Sequence, residues 1–197
     1  MIGQLTPETP WELARHARFT ASASAPLFTI ATRKMTDAEL AAREKGNKRT
    51  TIEDYSIFSD GANTYIEEKV SEVITGTYRA IDNYSMEWGK NYEPEAALLL
   101  KNEYPDMIYY GKENPTFIEY SDWSGGSPDT EMPEAKMIGE IKCPENPAVH
   151  VKYCKIKDGE SLLKIFKDCW FQMQFNMAAV AKKIGCDPMK MRGVFVS

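Results

Sequence analysis

The run Met137-Ile138-Gly139-Glu140-Ile141-Lys142 places two opposite charges inside an otherwise apolar, β-prone stretch. Glu140 and Lys142 are two residues apart, so on a strand they share one face while Ile141 points to the other. A solvent-facing strand edge explains such a pair by itself. Two further segments narrow the choice. Ser127-Pro128-Asp129 lies in a turn-like stretch, giving the spacing Asp-x10-Glu-x-Lys, and Gly89-Lys90-Asn91-Tyr92-Glu93 sits in a helical pattern. Three carboxylates and one lysine are the set a magnesium-dependent phosphodiesterase needs. Carboxylates are hard oxygen ligands suited to Mg²⁺, which completes its shell with water and substrate phosphate. Such an ion acidifies water and neutralises charge on a leaving oxygen. A lysine beside it positions the attacking water or stabilises the developing charge.

With 197 residues, 43% of them hydrophobic, the chain can bury one substantial core and fits a single domain over 1–197. A net charge of −5 excludes a wholly basic nucleic-acid binder but not a local basic groove. Cys143, Cys154, Cys169 and Cys186 form neither a CxxC pair nor a Cys/His zinc pattern, and read as reduced thiols. No apolar run reaches the length of a membrane span. Met1 to Pro10 lacks the basic and apolar regions of a signal peptide, so cytoplasm is the expected compartment.

Local signals predict a short helix over 8–18, with Thr9 as cap and Pro10 at the first helical position. A turn over Thr20 to Ala25 and another helix should follow. Residues 36–49 read as a solvated helix ending at Gly46, with a mobile DNA-facing arm as the sharper alternative. Asp60 to Thr75 reads as an amphipathic helix, its apolar side formed by Tyr65, Val70, Val73 and Ile74, stopped by Gly76. A long helix from about Ile81 to Asn102 should break or bend near Gly89 and Pro94. Strand-like runs cover 107–111, 116–120, 137–142 and 193–196, and Ser124 to Pro128 is a turn region. Ser161 to Lys183 carries apolar residues at helical spacing. This order describes an α/β or α+β domain with a mixed central sheet flanked by helices. The chain closes on a strand-like run, which suggests a trimmed or unusually short C-terminus.

Other polar residues have bland explanations beside the functional ones. Arg15 and Arg18 share one side of the first helix just before Thr20-Ala21-Ser22, as a phosphate site would require, or are ordinary exposed arginines. Gln172 and Gln174 flank Met173 in the apolar helix, where Gln172 lies near Cys169 and Asn176. Gly89 and Glu93 share a helical face, so Gly89 would allow close approach to the sheet or to DNA. His16 and His150 are the only histidines, which argues against a histidine-based metal site; His150 remains a candidate phosphate ligand.

Taken in order, the segments Trp11-x3-Arg15-x4-Thr20-Ala21-Ser22, Tyr65-Ile66-x-Glu68, Trp88-Gly89-Lys90-Asn91-Tyr92-Glu93, Ser127-Pro128-Asp129, Glu140-Ile141-Lys142-Cys143-Pro144 and Gln172-Met173-Gln174 resemble the lambda exonuclease family. These YqaJ-like viral recombinases lie within the PD-(D/E)XK nuclease superfamily. The resemblance implies a PD-(D/E)XK nuclease-like core and a phage or prophage exonuclease acting on linear double-stranded DNA ends. Such an enzyme digests one strand from the 5′ end and leaves a 3′ single strand for an annealing protein. By match to the family motifs, Glu93, Asp129 and Glu140 would hold Mg²⁺, or Mn²⁺ in its place, with the Ile141 carbonyl assisting. Lys142 would orient the attacking water. Arg15, Ser22 and Ser127 would hold the terminal 5′ phosphate, supported by Gln172 or Gln174. Family members form toroidal trimers, which implies a homotrimer in a host bacterial cytoplasm.

Two departures from the family pattern matter. Thr130 stands where Gly usually follows Ser-Pro-Asp, and would strain the turn if a positive φ is needed there. The arginine expected shortly after the Glu-x-Lys-Cys-Pro run is absent from Glu145 to His150, so His150 or Lys152 would have to substitute. Two rival functions stay open on the residues: a restriction-type endonuclease on the same core, and a non-catalytic DNA-end-binding recombination protein. Iron–sulfur nucleases are disfavoured, because the cysteines do not form the flanking cluster those need.

Overall fold

The computed structural model describes residues 3–80 and 83–197. The first half runs β1 (Gly3–Leu5), α1 (Pro10–Arg15), β2 (Phe19–Thr20), β3 (Ile30–Lys34), α2 (Asp37–Ala42), β4 (Thr51–Phe58), α3 (Asp60–Thr75), β5 (Tyr78–Ala80) and α4 (Tyr84–Glu103). The second half runs β6 (Ile108–Tyr109), β7 (Ile118–Ser121), β8 (Ser124–Gly126), β9 (Thr130–Met132), β10 (Met137–Ile141), α5 (Pro147–Tyr153), α6 (Gly159–Ile165), α7 (Lys167–Ile184) and β11 (Arg192–Val196). Three-residue and four-residue 3₁₀ turns at Ala21–Ala23 and Ala25–Phe28 link β2 to β3.

The central sheet has the order β11-β10-β9-β6. It is mixed, as expected: β10 pairs parallel with β11 and antiparallel with β9, which pairs antiparallel with β6. All five residues of β10 are buried. Met137 and Ile141 join Met132, Ala97 and Leu100 in a core beneath α4. Ile138 instead joins Met173, Val180 and Leu162 in a core beneath α7 and α6. The period of two therefore holds. Ile138, Glu140 and Lys142 belong to the α7 face, and Ile141 to the α4 face. A second sheet, β2-β8-β7, and two antiparallel pairs, β1-β5 and β3-β4, complete the strands of the described residues.

Chain punctuation falls close to where local chemistry puts it. Thr9 caps α1 with a capping box closed by Glu12, and Ser59 caps α3, which ends at left-handed Gly76. Several expectations need correction. The expected turn at Ser124 holds strand β8, because Gly125 and Gly126 pair with β2 and β7. Ser161 to Lys183 is two helices parted at Phe166, whose φ of −144° is extended. Around Pro94, α4 runs unbroken from Tyr84 to Glu103, while Ile81 lies outside the described residues. Residues 36–49 are helical only over Asp37–Ala42, and β3 and β4 pair across them. The apolar side expected for α3 faces solvent at Val70, Val73 and Ile74; only Ala62 and Tyr65 are buried. Among the described residues no helix is long and apolar enough to cross a membrane.

Candidate active site

The acidic residues converge at the end of the central sheet where β10 stops. Glu140 is fully buried on the α7 face. Its Oε1 accepts a hydrogen bond from Lys142 Nζ at 2.5 Å, while its Oε2 is buried with no partner. Asp129, between β8 and β9, accepts from the Ile141 backbone N–H at 2.6 Å. That bond clamps the Ser127-Pro128-Asp129 segment across the end of β10. Glu93 comes in from α4, hydrogen-bonded to Tyr109.

Burial makes this cluster electrostatically unusual. It raises Glu140 to about 8, with Lys142 opposing and Asp129 reinforcing the rise. Glu93 is raised to about 7, first by burial and then by the Asp129 carboxylate. Asp129 is raised too, chiefly by burial, against the pull of Lys142. Burial alone would lower Lys142, but Glu140 and Asp129 outweigh it and keep the ammonium charged. Three neighbouring carboxylates cannot all ionise cheaply beside a single lysine, which is the imbalance a cation relieves.

Among the described residues, no three His, Cys, Asp or Glu side chains are assembled closely enough to form a ready metal cage. The donors nevertheless fit a hard divalent cation. Glu140 Oε2 is an orphaned buried oxygen, and Asp129 stands one strand end away. Mg²⁺ binds through one or two carboxylates and keeps water and phosphate as its other ligands. Glu93, Asp129, Glu140 and the Ile141 carbonyl are the groups that would hold it.

A second cluster lies beside the first. Arg15 Nη1 reaches Ser127 Oγ and its Nη2 reaches Ser22 Oγ, each at 3.5 Å. The guanidinium lies 4.3 Å over the Trp11 ring, whose Nε1 donates to Ser127 Oγ at 3.3 Å and to Thr116 O at 3.2 Å. Burial lowers the Arg15 pKa. So Arg15 and Ser22 meet Ser127, which is distant from both in sequence, with an indole fixing the plane of the guanidinium. Arg18 turns away to Glu119.

The remaining expectations divide. Gln172 lies one turn from Asn176, which packs against Gly126, whereas Gln174 is exposed on a groove bordered by Ile156 and Phe195. The two glutamines therefore do not converge. His150 is exposed on α5, with Nδ1 3.0 Å from Ser197 Oγ. Gly89 is not sterically demanded: a Cβ there would meet Cys143 O at an ordinary 3.7 Å. Thr130 does not strain a turn, since it sits in β9 opposite Gly139, where a Cβ would fall 2.3 Å from Thr130 Oγ1. The steric demand has moved to the facing glycine. Tyr109, which bonds Glu93, and Glu72, whose Oε2 accepts from the Ala17 backbone N–H behind Arg15, carry no sequence signal, because each acts through a partner far along the chain.

The family model for the YqaJ-like viral recombinase domain matches residues 10–183. The chain belongs to that family. No curated protein sequence matches it. Among solved structures, an alkaline exonuclease from Laribacter hongkongensis is 21% identical with a TM-score of 0.53, over 86% of this chain and 66% of that one. The same exonuclease in complex with dAMP gives 21% identity and 0.57, over 87% and 68%. A phage related exonuclease from Haemophilus somnus 129PT gives 17% and 0.56, over 87% and 65%. The chain thus spans about two thirds of the length of these proteins, and shares the nuclease fold with them.

Proposed function

We propose that this protein is a Mg²⁺-dependent exonuclease that hydrolyses one strand of linear double-stranded DNA from its 5′ end during phage-type recombination. The observation that carries the reading is the adjacency of the two clusters. Ser127, which holds Arg15, and Asp129, which is clamped to β10, are two residues apart, or about 7 Å of extended chain. An anion site that close to the acidic cluster suits cleavage beside a terminal phosphate better than cleavage within a duplex.

In this scheme Arg15, Ser22 and Ser127 grip the terminal phosphate, with the charge-assisted geometry that guanidinium offers. Glu93, Asp129, Glu140 and the Ile141 carbonyl hold the cation, which when bound acidifies water and offsets charge at the leaving oxygen. Lys142 leaves Glu140 to orient the attacking water. Gln172 supports the anion cluster from α7. The 5′-to-3′ polarity, a homotrimeric ring, a phage annealing protein as partner and a place in the bacterial cytoplasm rest on the family resemblance.

A second reading, a catalytically silent DNA-end binder, draws on Lys142 occupying Glu140 and on the loose spacing of the acids. Digestion of linear duplex labelled at either end, with Mg²⁺ or EDTA and a closed circular control, decides. Early Mg²⁺-dependent loss of the 5′ label with the circle intact is expected. Cutting of the circle points to an endonuclease, and end binding without cleavage points to the silent binder.

A further inference from the structure

The first three turns of α4 carry an aromatic ladder that neither cluster uses. Tyr84, Trp88 and Tyr92 are spaced four apart and so lie one above another on one helical face. The rings touch in sequence: Tyr84 and Trp88 centroids are 6.3 Å apart, and Trp88 and Tyr92 are 4.5 Å apart. None is in the core. Tyr84 is 67% exposed and Tyr92 43% exposed, and Trp88 is half-buried. Two exposed rings stacked on a half-buried third are costly to maintain, because each would bury favourably against almost anything. Yet only Ala97 and Leu100, further along α4, are buried in the helix.

The position of the ladder limits what covers it. Tyr92 directly precedes Glu93, and Gly89, next to Trp88, packs beside the Cys143 carbonyl just past Lys142. The ladder therefore runs away from the acidic cluster along the helix axis, over about 12 Å from Tyr84 to Tyr92. Its surface is aromatic rather than aliphatic, which suits flat π-faced ligands. Every nucleobase has such a face, and stacking on exposed aromatics is how strands are held without sequence preference. Tyr92 adjoins Glu93 in the chain, which puts the end of the ladder within reach of a strand held at the acidic site.

We propose that Tyr84, Trp88 and Tyr92 form a stacking platform for the unpaired bases of a single DNA strand adjoining the acidic cluster; the proposal rests on the reading of that cluster as the place where the strand is held. The platform grips bases and not phosphates, so it contributes affinity that is independent of sequence and lost when the bases are removed. It also supplies a reason for the ladder to begin at Tyr92 rather than further along α4, since stacking is useful only within reach of the bond to be cut.

The test uses fluorescence anisotropy of a labelled 12-nucleotide oligo-dT and of an abasic oligonucleotide of the same length, in EDTA so that nothing is cut. The wild-type protein should bind oligo-dT at least about tenfold more tightly than the abasic strand, from the strength of base–aromatic stacking. Trp88→Ala should lower oligo-dT affinity about tenfold and leave abasic binding unchanged. Tyr84→Ala, at an exposed position that burdens folding least, should show the same selectivity with a smaller loss. Equal affinity of the wild type for the two strands overturns the proposal. So does unchanged oligo-dT binding by both variants, including the case in which they alter only self-association of the chain. Cleavage by the wild type in Mg²⁺ is scored separately. No cleavage with base-dependent binding retained sinks the nuclease reading and keeps the platform, and cleavage with base-independent binding does the reverse.

Discussion

The acidic cluster and the arginine–hydroxyl cluster sit two residues apart at Ser127 and Asp129, but they are held by opposite means. Glu140 is locked into the buried strand β10, its neighbours Ile138 and Ile141 packed into cores on both faces of the sheet. Arg15 and Ser22 stand on a helix end and a 3₁₀ turn, and their placement depends on side chains reaching across from α3. There, Ala17 N–H donates to Glu72 Oε2 at 2.8 Å and Thr20 N–H donates to Tyr65 Oη at 2.9 Å. Ala17 has a φ of 58°, in the left-handed region that a non-glycine residue enters at a cost. The sheet cluster makes charge expensive and so favours chemistry on a cation. The loop cluster keeps a guanidinium part-exposed and so favours recognition. Rigid burial tunes pKa values; cross-chain bonds tune position.

The sharpest way to separate the two regions is to disable each in turn. Lys142→Ala should lower DNA cleavage by about 10²–10³-fold while end binding persists, measured by single-turnover digestion against anisotropy. Equal losses in both assays would merge the two regions into one. Gly126→Ala should strike the fold beneath both. A Cβ there would lie 2.1 Å from Asn176 Oδ1, and overpacking of this kind costs about 1–3 kcal/mol, visible as a Tm several degrees lower by calorimetry. Arg15→Ala should weaken binding of 5′-phosphorylated duplex by about tenfold, the scale of one charge-assisted bond, with little change for 5′-hydroxyl ends. Arg15→Lys should not restore it, since a point charge cannot span both hydroxyls.

A gentler change sharpens the positional argument. Glu72→Gln should weaken the clamp on Ala17 and cost about 1 kcal/mol, with reduced preference for phosphorylated ends. Ala17→Gly in that background should recover the preference, because glycine holds a positive φ without the clamp. Recovery absent in the double variant would separate Glu72 from the anion cluster. The smallest effect is pH-dependent and lies on α1. Glu12 accepts from Tyr78 Oη at 2.7 Å, and this bond, then those from Thr9, hold its carboxyl down at about 2 from 4.5. The same bond pushes Tyr78 up from 10.0 to about 12. The Glu12 contribution is present above pH 4.5 and fades as pH falls toward 2. The Tyr78 contribution is present below pH 10 and fades as pH rises toward 12. Glu12→Gln should flatten both limbs of a Tm-against-pH curve, and a curve unchanged by it would remove the pair from the stability account.

Where the sequence was legible, the signal was local. Thr9 and Gly76 announce helix ends through backbone hydrogen bonds made within a few residues, and α3 accordingly spans Asp60 to Thr75 as expected. The alternation in β10 announced that Glu140 and Lys142 share a face. Strands β1 to β5, β8 and β9 went unread, since each is short or mixed in polarity and is stabilised by a partner elsewhere in the chain. The exposed Val70, Val73 and Ile74 misled for the same reason in reverse: helical periodicity shows that a face is apolar, not that anything covers it.

By itself, the sequence determined the motif set, the helix ends at Thr9 and Gly76, the sharing of a face by Glu140 and Lys142, and through its order the family. Tertiary structure alone decided that Asp129 would clamp the end of β10, that Trp11 would lie under the Arg15 guanidinium, that Gln172 and Gln174 would part, and that Gly139 would make room for Thr130. The physical reason is range. Caps and pleats are settled by neighbours in the chain, whereas burial, pKa and steric room depend on groups that only folding brings within a few ångströms.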